Sequence, residues 1–282
     1  MSEIVVQTDG VALSGDDSGE GSAVVLLHGL TATRRYVTMG SRTLERAGHR
    51  VIAYDARGHG RSTAAPDRAY GYERLSCDLR AVLDSTGVER AVLAGVSMGA
   101  HTAVRFALES PERVAALVLI TPAYEPSSLG VESYLARWDE LARGLREEGV
   151  DGFVRANHLD TLPEAWRETV DVALRQRMSG HEHLDAVADA LQAVPRSRPF
   201  EDMAELTTIS VPTVIVASRD EADPLHPLAV GERYAQLMPN ADLVVEEAGP
   251  PTHSPIAWQG GQLSRLIAEI ASTAVGNPDQ PL

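Results

Sequence analysis

Residues 91–103 read AVLAGVSMGAHTA. The stretch begins as an unbroken apolar run, AVLAGV, and continues from Gly99 as a helix-like pattern, GAHTAVRFALESP. At the junction, Gly95-Val96-Ser97-Met98-Gly99 fits G-x-S-x-G. A serine held between a strand and a helix in this way sits on a sharp, strained turn. The residues two before and two after it must then be tiny. The spacing predicts a nucleophile elbow with Ser97 at its tip. A plain strand-to-helix turn with a capping serine is the competing reading of the same five residues, and the strand before and helix after favour the elbow.

Working outward, short β-branched runs recur along the chain. They are IVVQT from Ile4, VALSG from Val11, AVVLLHG from Ala23, RVIAYDA from Arg50, VAALVLIT from Val114, PTVIVAS from Pro212 and ADLVVEE from Ala241. Those from Val24 onward are nearly continuous apolar runs, which suits strands buried on both faces. Asp9-Gly10 between the first two is a hairpin signal. Helical stretches such as YERLSCDLRAVLDSTG separate the later strands. This alternation predicts an α/β fold with a mostly parallel central sheet flanked by helices. From about Tyr124 to Ser210 no strand is evident, and charged helical patterns replace them, VESYLARWDELARGLREEG among them. The expected organisation is therefore a core formed by residues 1–123 and 211–282, with a helical cap inserted over 124–210. Such an insertion would cover the sheet edge at which open α/β sheets bind ligands. Its aromatic residues Tyr134, Trp138, Phe153 and Trp166 stand at helical spacing, which favours core packing over a substrate pocket.

Composition removes several chemistries. The 282 residues carry a formal net charge of −15, and 44% are hydrophobic. That balance fits a soluble globular protein and argues against a nucleic-acid groove or a polybasic membrane patch. All 25 basic residues are Arg, so a Schiff-base lysine and a P-loop lysine are both excluded. Cys77 is the sole cysteine, which excludes intramolecular disulfides and Cys-rich zinc sites. Its place beside Leu75, Leu79 and Val82 predicts a small buried side chain. The N-terminus, MSEIVVQTDG, shows neither a basic n-region nor a long apolar h-region, and a cytoplasmic location is expected.

Two further motifs follow strands. In LLHGLTAT, from Leu26, Gly29 lets the backbone approach a ligand, so that the Leu30 N–H can point into the site. Paired with the N–H of Met98 at the helix start, it would form an oxyanion hole. YDARGHGRS, Tyr54 to Ser62, is a turn whose glycines and Arg57 look structural, and His59 is assigned no chemical role.

Together HGL, YDARGHGRS, GVSMG, the helical insertion and VASRDEADPLHP resemble the α/β-hydrolase superfamily, in its lipase, esterase and cofactor-free haloperoxidase-like branch. The resemblance covers nearly the whole chain. It implies a triad in the chain order nucleophile, acid, histidine: Ser97, an acid after PTVIVAS and a histidine after ADLVVEE. Asp220 and Asp223 both lie in the acid segment. The D-P-x-x-P pattern of Asp223-Pro224-Leu225-His226-Pro227 favours Asp223, and Glu125 is a third position that some relatives use. Chain order leaves His226 and His253 as bases. The family's histidine follows a glycine directly, whereas here Pro250, Pro251 and Thr252 separate Gly249 from His253. The resemblance still implies His253. It further implies acyl transfer on a small to medium carboxylic ester, with no metal and no organic cofactor. The implied partner is a small-molecule substrate, not nucleic acid or membrane. Lactonase, thioesterase and C–C bond hydrolase chemistry share the triad. A binding protein or non-catalytic relative on the same scaffold is the rival reading.

Overall fold

A computed structural model describes residues 1–219, 225–246 and 260–276. It contains an eight-stranded sheet. The strands are β1 Ser2–Thr8, β2 Val11–Ser18, β3 Ser22–Leu27, β4 His49–Tyr54, β5 Ala91–Val96, β6 Val114–Ile120, β7 Thr213–Ala217 and β8 Ala241–Val245. Their spatial order is β1-β2-β4-β3-β5-β6-β7-β8. β1 and β2 pair antiparallel through a turn in which Asp9 and Gly10 both adopt positive φ, 44° and 76°, as a two-residue hairpin of this type requires. β2 also pairs antiparallel with β4, and the remaining pairs are parallel.

The apolar runs are continuous because each parallel strand is buried on both faces. Successive side chains point to opposite sides. Val25, Leu27, Leu93, Leu117, Leu119 and Ile215 meet helices α2 (Tyr72–Ser85), α3 (Met98–Glu109) and α7 (Leu228–Leu237) on one face. Val24, Leu26, Val92, Ala94, Val118 and Val216 meet α1 (Thr43–Arg46) and α8 (Gly260–Gly276) on the other. Between β6 and β7 the chain forms α4 (Glu132–Arg155), α5 (Glu164–Met178) and α6 (Leu184–Ala193), with no strand. Leu141, Leu145, Phe153, Met178 and Leu191 of these helices pack with Leu30 of the loop after β3, Tyr72 and Leu75 of α2, and Met98 at the start of α3. The inserted helices thus lie over the ends of β3 and β5. β3 has β4 on one side and β5 on the other, so this edge is where the strand order reverses and where open α/β sheets form their ligand crevice. Of the insertion's aromatics, Phe153 is buried core, whereas Tyr134 is exposed.

The turn after β4 is anchored by a buried ion pair. Arg57 Nε and Nη2 donate to the two Asp78 oxygens of α2, each at 2.7 Å, and Nη1 donates to the Ala69 carbonyl at 2.7 Å. Both charged side chains are fully buried. Burial pushes the Asp78 carboxyl up, and Arg57 opposes that shift. Removing one partner would leave a buried charge without its counter-charge. Asp78→Ala is therefore expected to lower the unfolding free energy by about 3–5 kcal/mol, read as a fall in the urea midpoint. Gly60 in the same turn is obligatory, since a Cβ there would lie 2.1 Å from an Asp55 carboxylate oxygen. Cys77 departs from the expectation of burial: it is exposed. On α2 the inward stripe is Leu75, Ser76, Asp78, Leu79 and Val82, and Cys77 falls on the opposite side of the helix.

Candidate active site

Ser97 joins β5 to α3 at φ 49° and ψ −109°. These angles are strained for a residue with a Cβ and lie close to the mirror image of extended backbone. The flanking glycines make the turn possible. A Cβ on Gly95 would lie 2.3 Å from the Gly99 carbonyl, and one on Gly99 would lie 2.2 Å from the Leu27 carbonyl oxygen. The Ser97 N–H is held by the Ile120 carbonyl at 2.9 Å, and its own carbonyl accepts from His101 N–H at 3.0 Å. The Ser97 hydroxyl makes no capping bond to its helix. Its Oγ lies 2.9 Å from Nε2 of His226, which stands two residues ahead of α7.

The loop after β3 lies against the elbow: a Cβ on Gly29 would meet Ser97 Cβ at 3.7 Å. Several bonds fix this loop. His28 Nδ1–H donates to the Gly29 carbonyl at 2.8 Å, and His28 Nε2 accepts from Ala56 N–H at 2.8 Å. Ala32 N–H donates back to the Gly29 carbonyl at 3.0 Å. Arg34 N–H donates to Asp55 Oδ1 at 2.8 Å, and the Arg34 guanidinium pairs with Asp55 and Asp16. Leu30 and Met98 are both buried beside Ser97's turn. Among the described residues, no acceptor pairs with the N–H of either.

His101, one turn into α3, faces inward. Its Nε2 accepts from the amides of Ala123 and Tyr124 at 3.0 and 3.1 Å, and its Nδ1–H donates to the Tyr72 hydroxyl at 3.0 Å. It therefore shapes the loop after β6. Burial, reinforced by the imidazole of His226, pushes His101 down to about 3. His181, in the inserted segment, is pushed down to about 4, chiefly by burial. Both start from 6.5 when unfolded. The unfolded chain thus binds protons that the folded chain refuses, and their contribution to stability falls as pH drops below about 6.5. Each histidine removes about 1.4 kcal/mol per pH unit until its folded value is reached. Urea titrations between pH 7 and 4 should show this slope, and His181→Gln should flatten it.

Of the residues that the sequence singled out, Ser97, Leu30 and Met98 come together at the ends of β5 and β3. Asp220, Asp223 and His253 lie outside the described residues. Glu125 is described, and its carboxylate makes no hydrogen bond to His226 or Ser97 among the described residues. The contact between His226 and Ser97 was open in the sequence only as one of two histidines late enough in the chain.

Comparison with known proteins agrees with this architecture. The chain matches the α/β hydrolase fold family over residues 22–253. It is 32% identical over 236 residues to the putative carbamate hydrolase RutD of Variovorax paradoxus, covering 83% of this chain and 86% of that protein. It is 33% identical over 244 residues to 2-hydroxy-6-oxononadienedioate/2-hydroxy-6-oxononatrienedioate hydrolase 2 of Pseudomonas putida, covering 82% of each. Among solved structures, a thermophilic esterase from Thermogutta terrifontis superposes with a TM-score of 0.75 at 24% identity, over 98% of this chain and 99% of that one. Among the described residues no helix is long and apolar enough to cross a membrane. With its sheet order, its serine elbow and these relatives, the chain belongs to the α/β-hydrolase fold family and is a hydrolase of that fold.

Proposed function

We propose that this hydrolase cleaves small to medium carboxylic esters through an acyl-enzyme on Ser97. The observation that carries the reading is the Ser97 hydroxyl, raised on a strained elbow and 2.9 Å from an imidazole nitrogen of His226. Ser97 Oγ attacks the carbonyl carbon while a histidine takes its proton. The oxyanion is stabilised by the amides of Leu30 and Met98. The imidazolium then protonates the leaving alcohol, and a water activated by the same imidazole releases the acid and restores Ser97. The inserted helices act as the cap that keeps bulk water from the acyl group.

The contact geometry favours His226 as the proton acceptor. The family's chain order, with the histidine after the last strand, favours His253 instead. In either case Asp223 is the acid that orients the ring, and Asp223→Asn is expected to lower kcat by on the order of 10³–10⁴. The identity to the Pseudomonas putida enzyme favours a second substrate reading, hydrolysis of a C–C bond beside a ketone, by the same serine. The test pairs p-nitrophenyl butyrate turnover with fluorophosphonate labelling. Turnover and a label on the Ser97 peptide support the proposal. Wild-type protein that neither turns over short esters nor takes the label overturns it in favour of a binding role.

A further inference from the structure

His181 belongs to the inserted helices, between α5 and α6, yet its side chain makes both of its hydrogen bonds to the sheet layer. Nδ1 accepts from the Gly60 amide at 2.9 Å. Nε2 lies 3.0 Å from the Thr31 carbonyl oxygen. A backbone amide only donates and a carbonyl only accepts, so the ring is the neutral tautomer with its proton on Nε2, donating to Thr31. Thr31 stands at φ 117°, a conformation that a residue with a Cβ adopts only under constraint. It immediately follows Leu30.

Neighbouring contacts make this a docking point, not a chance approach. Glu182 N–H donates to the Gly60 carbonyl at 2.9 Å, closing a second bond to the same residue. A Cβ on Gly180 would meet Thr33 Cγ2 at 3.2 Å. The Arg177 guanidinium lies over the Tyr36 ring at 6.0 Å. The ring of His59 fills the space between His181 and His28, with centroid separations of 5.6 and 5.2 Å. The segment from Arg177 to Glu182 therefore meets the loop after β3 at Thr31, Thr33 and Tyr36, and the turn after β4 at Gly60.

We infer that His181 is a positioning residue that holds the Thr31 carbonyl and thereby sets the aim of the Leu30 amide at the nucleophile. The inference rests on the serine-hydrolase reading. Hydrogen bonds aimed at a developing oxyanion act on the transition state, so their misalignment lowers kcat and leaves substrate binding nearly unchanged. The cap would then be coupled to the oxyanion loop, and not merely laid over the pocket.

Two variants separate the hydrogen bonds from the bulk of the ring. Glutamine can accept from Gly60 and donate to Thr31, whereas phenylalanine fills the space and does neither. His181→Phe is expected to lower kcat on p-nitrophenyl butyrate by about 10–100-fold, with KM within about twofold and phenylboronate inhibition weakened in proportion. His181→Gln is expected to keep most of the activity. Hydrogen exchange of the peptide spanning residues 28–33 should accelerate in the phenylalanine variant and not in the glutamine variant. Unchanged kcat and unchanged exchange in His181→Phe overturn the inference, as does a glutamine variant as impaired as phenylalanine. If the wild type hydrolyses no ester and takes no fluorophosphonate, the serine-hydrolase reading fails by itself, and the exchange comparison still decides whether His181 holds the loop.

Discussion

Ser97→Ala is expected to lower kcat/KM on p-nitrophenyl butyrate by a factor on the order of 10⁴ or more, since the serine and its base act as one unit. Alanine keeps a Cβ, so the strain at φ 49° and ψ −109° remains in that variant. Ser97→Gly is equally inactive, but it relieves that strain, because glycine occupies the mirror of the extended region freely. The relief is about 1–3 kcal/mol, offset by up to about 1 kcal/mol of backbone entropy. Both variants lose the bond to His226, and the Ser97 hydroxyl caps nothing. Comparing the two isolates the backbone term: the glycine variant should unfold at a higher temperature than the alanine variant. Residual activity within tenfold of wild type in both would show that Ser97 is not the nucleophile. Equal thermal midpoints would show that the strain stored at the elbow is no larger than the entropy that glycine adds to the unfolded chain.

That strain is legible in the sequence. G-x-S-x-G after an apolar run encodes a close approach that only glycines permit, and a Cβ on Gly95 or Gly99 would meet backbone at 2.3 or 2.2 Å. The strands were legible for a related reason. Burial on both faces leaves a continuous apolar run, and β3, β5, β6 and β7 are such runs. Cys77 was misread because neighbouring Leu75 and Leu79 mark a helix face but not which intervening residues share it. His181 carries no motif in the sequence that marks a role. Its partners, Gly60 and Thr31, lie 121 and 150 positions away in the chain. No local pattern encodes a bond of that span. Asp55 is similar: it collects Arg34, 21 positions away, only once β3 and β4 lie side by side. Local sequence thus reveals what a turn or a strand demands of its own residues, whereas the groups that aim the site across the fold emerge from the tertiary contacts.

His226→Gln is expected to lower kcat/KM by on the order of 10²–10⁴, the range that a positioned proton acceptor supplies. Glutamine at 226 can still hydrogen-bond the Ser97 hydroxyl but cannot accept its proton at neutral pH, so a loss here separates proton transfer from simple contact. His253→Gln is the necessary companion, since the family's chain order points to that residue. The acid limb of the kcat/KM profile reports the base of the free enzyme, and it should vanish in whichever variant removes that base. With Nε2 of His226 at 2.9 Å from Ser97 Oγ, the limb should disappear with His226→Gln and persist in His253→Gln. The reverse pattern would give the base to His253 and leave His226 as the group that holds the resting hydroxyl. A serine hydroxyl has one proton to give, so two imidazoles cannot both receive it in the same step. If His226 takes it, the two extra prolines before His253 cost nothing, because that loop no longer has to deliver a ring to Ser97.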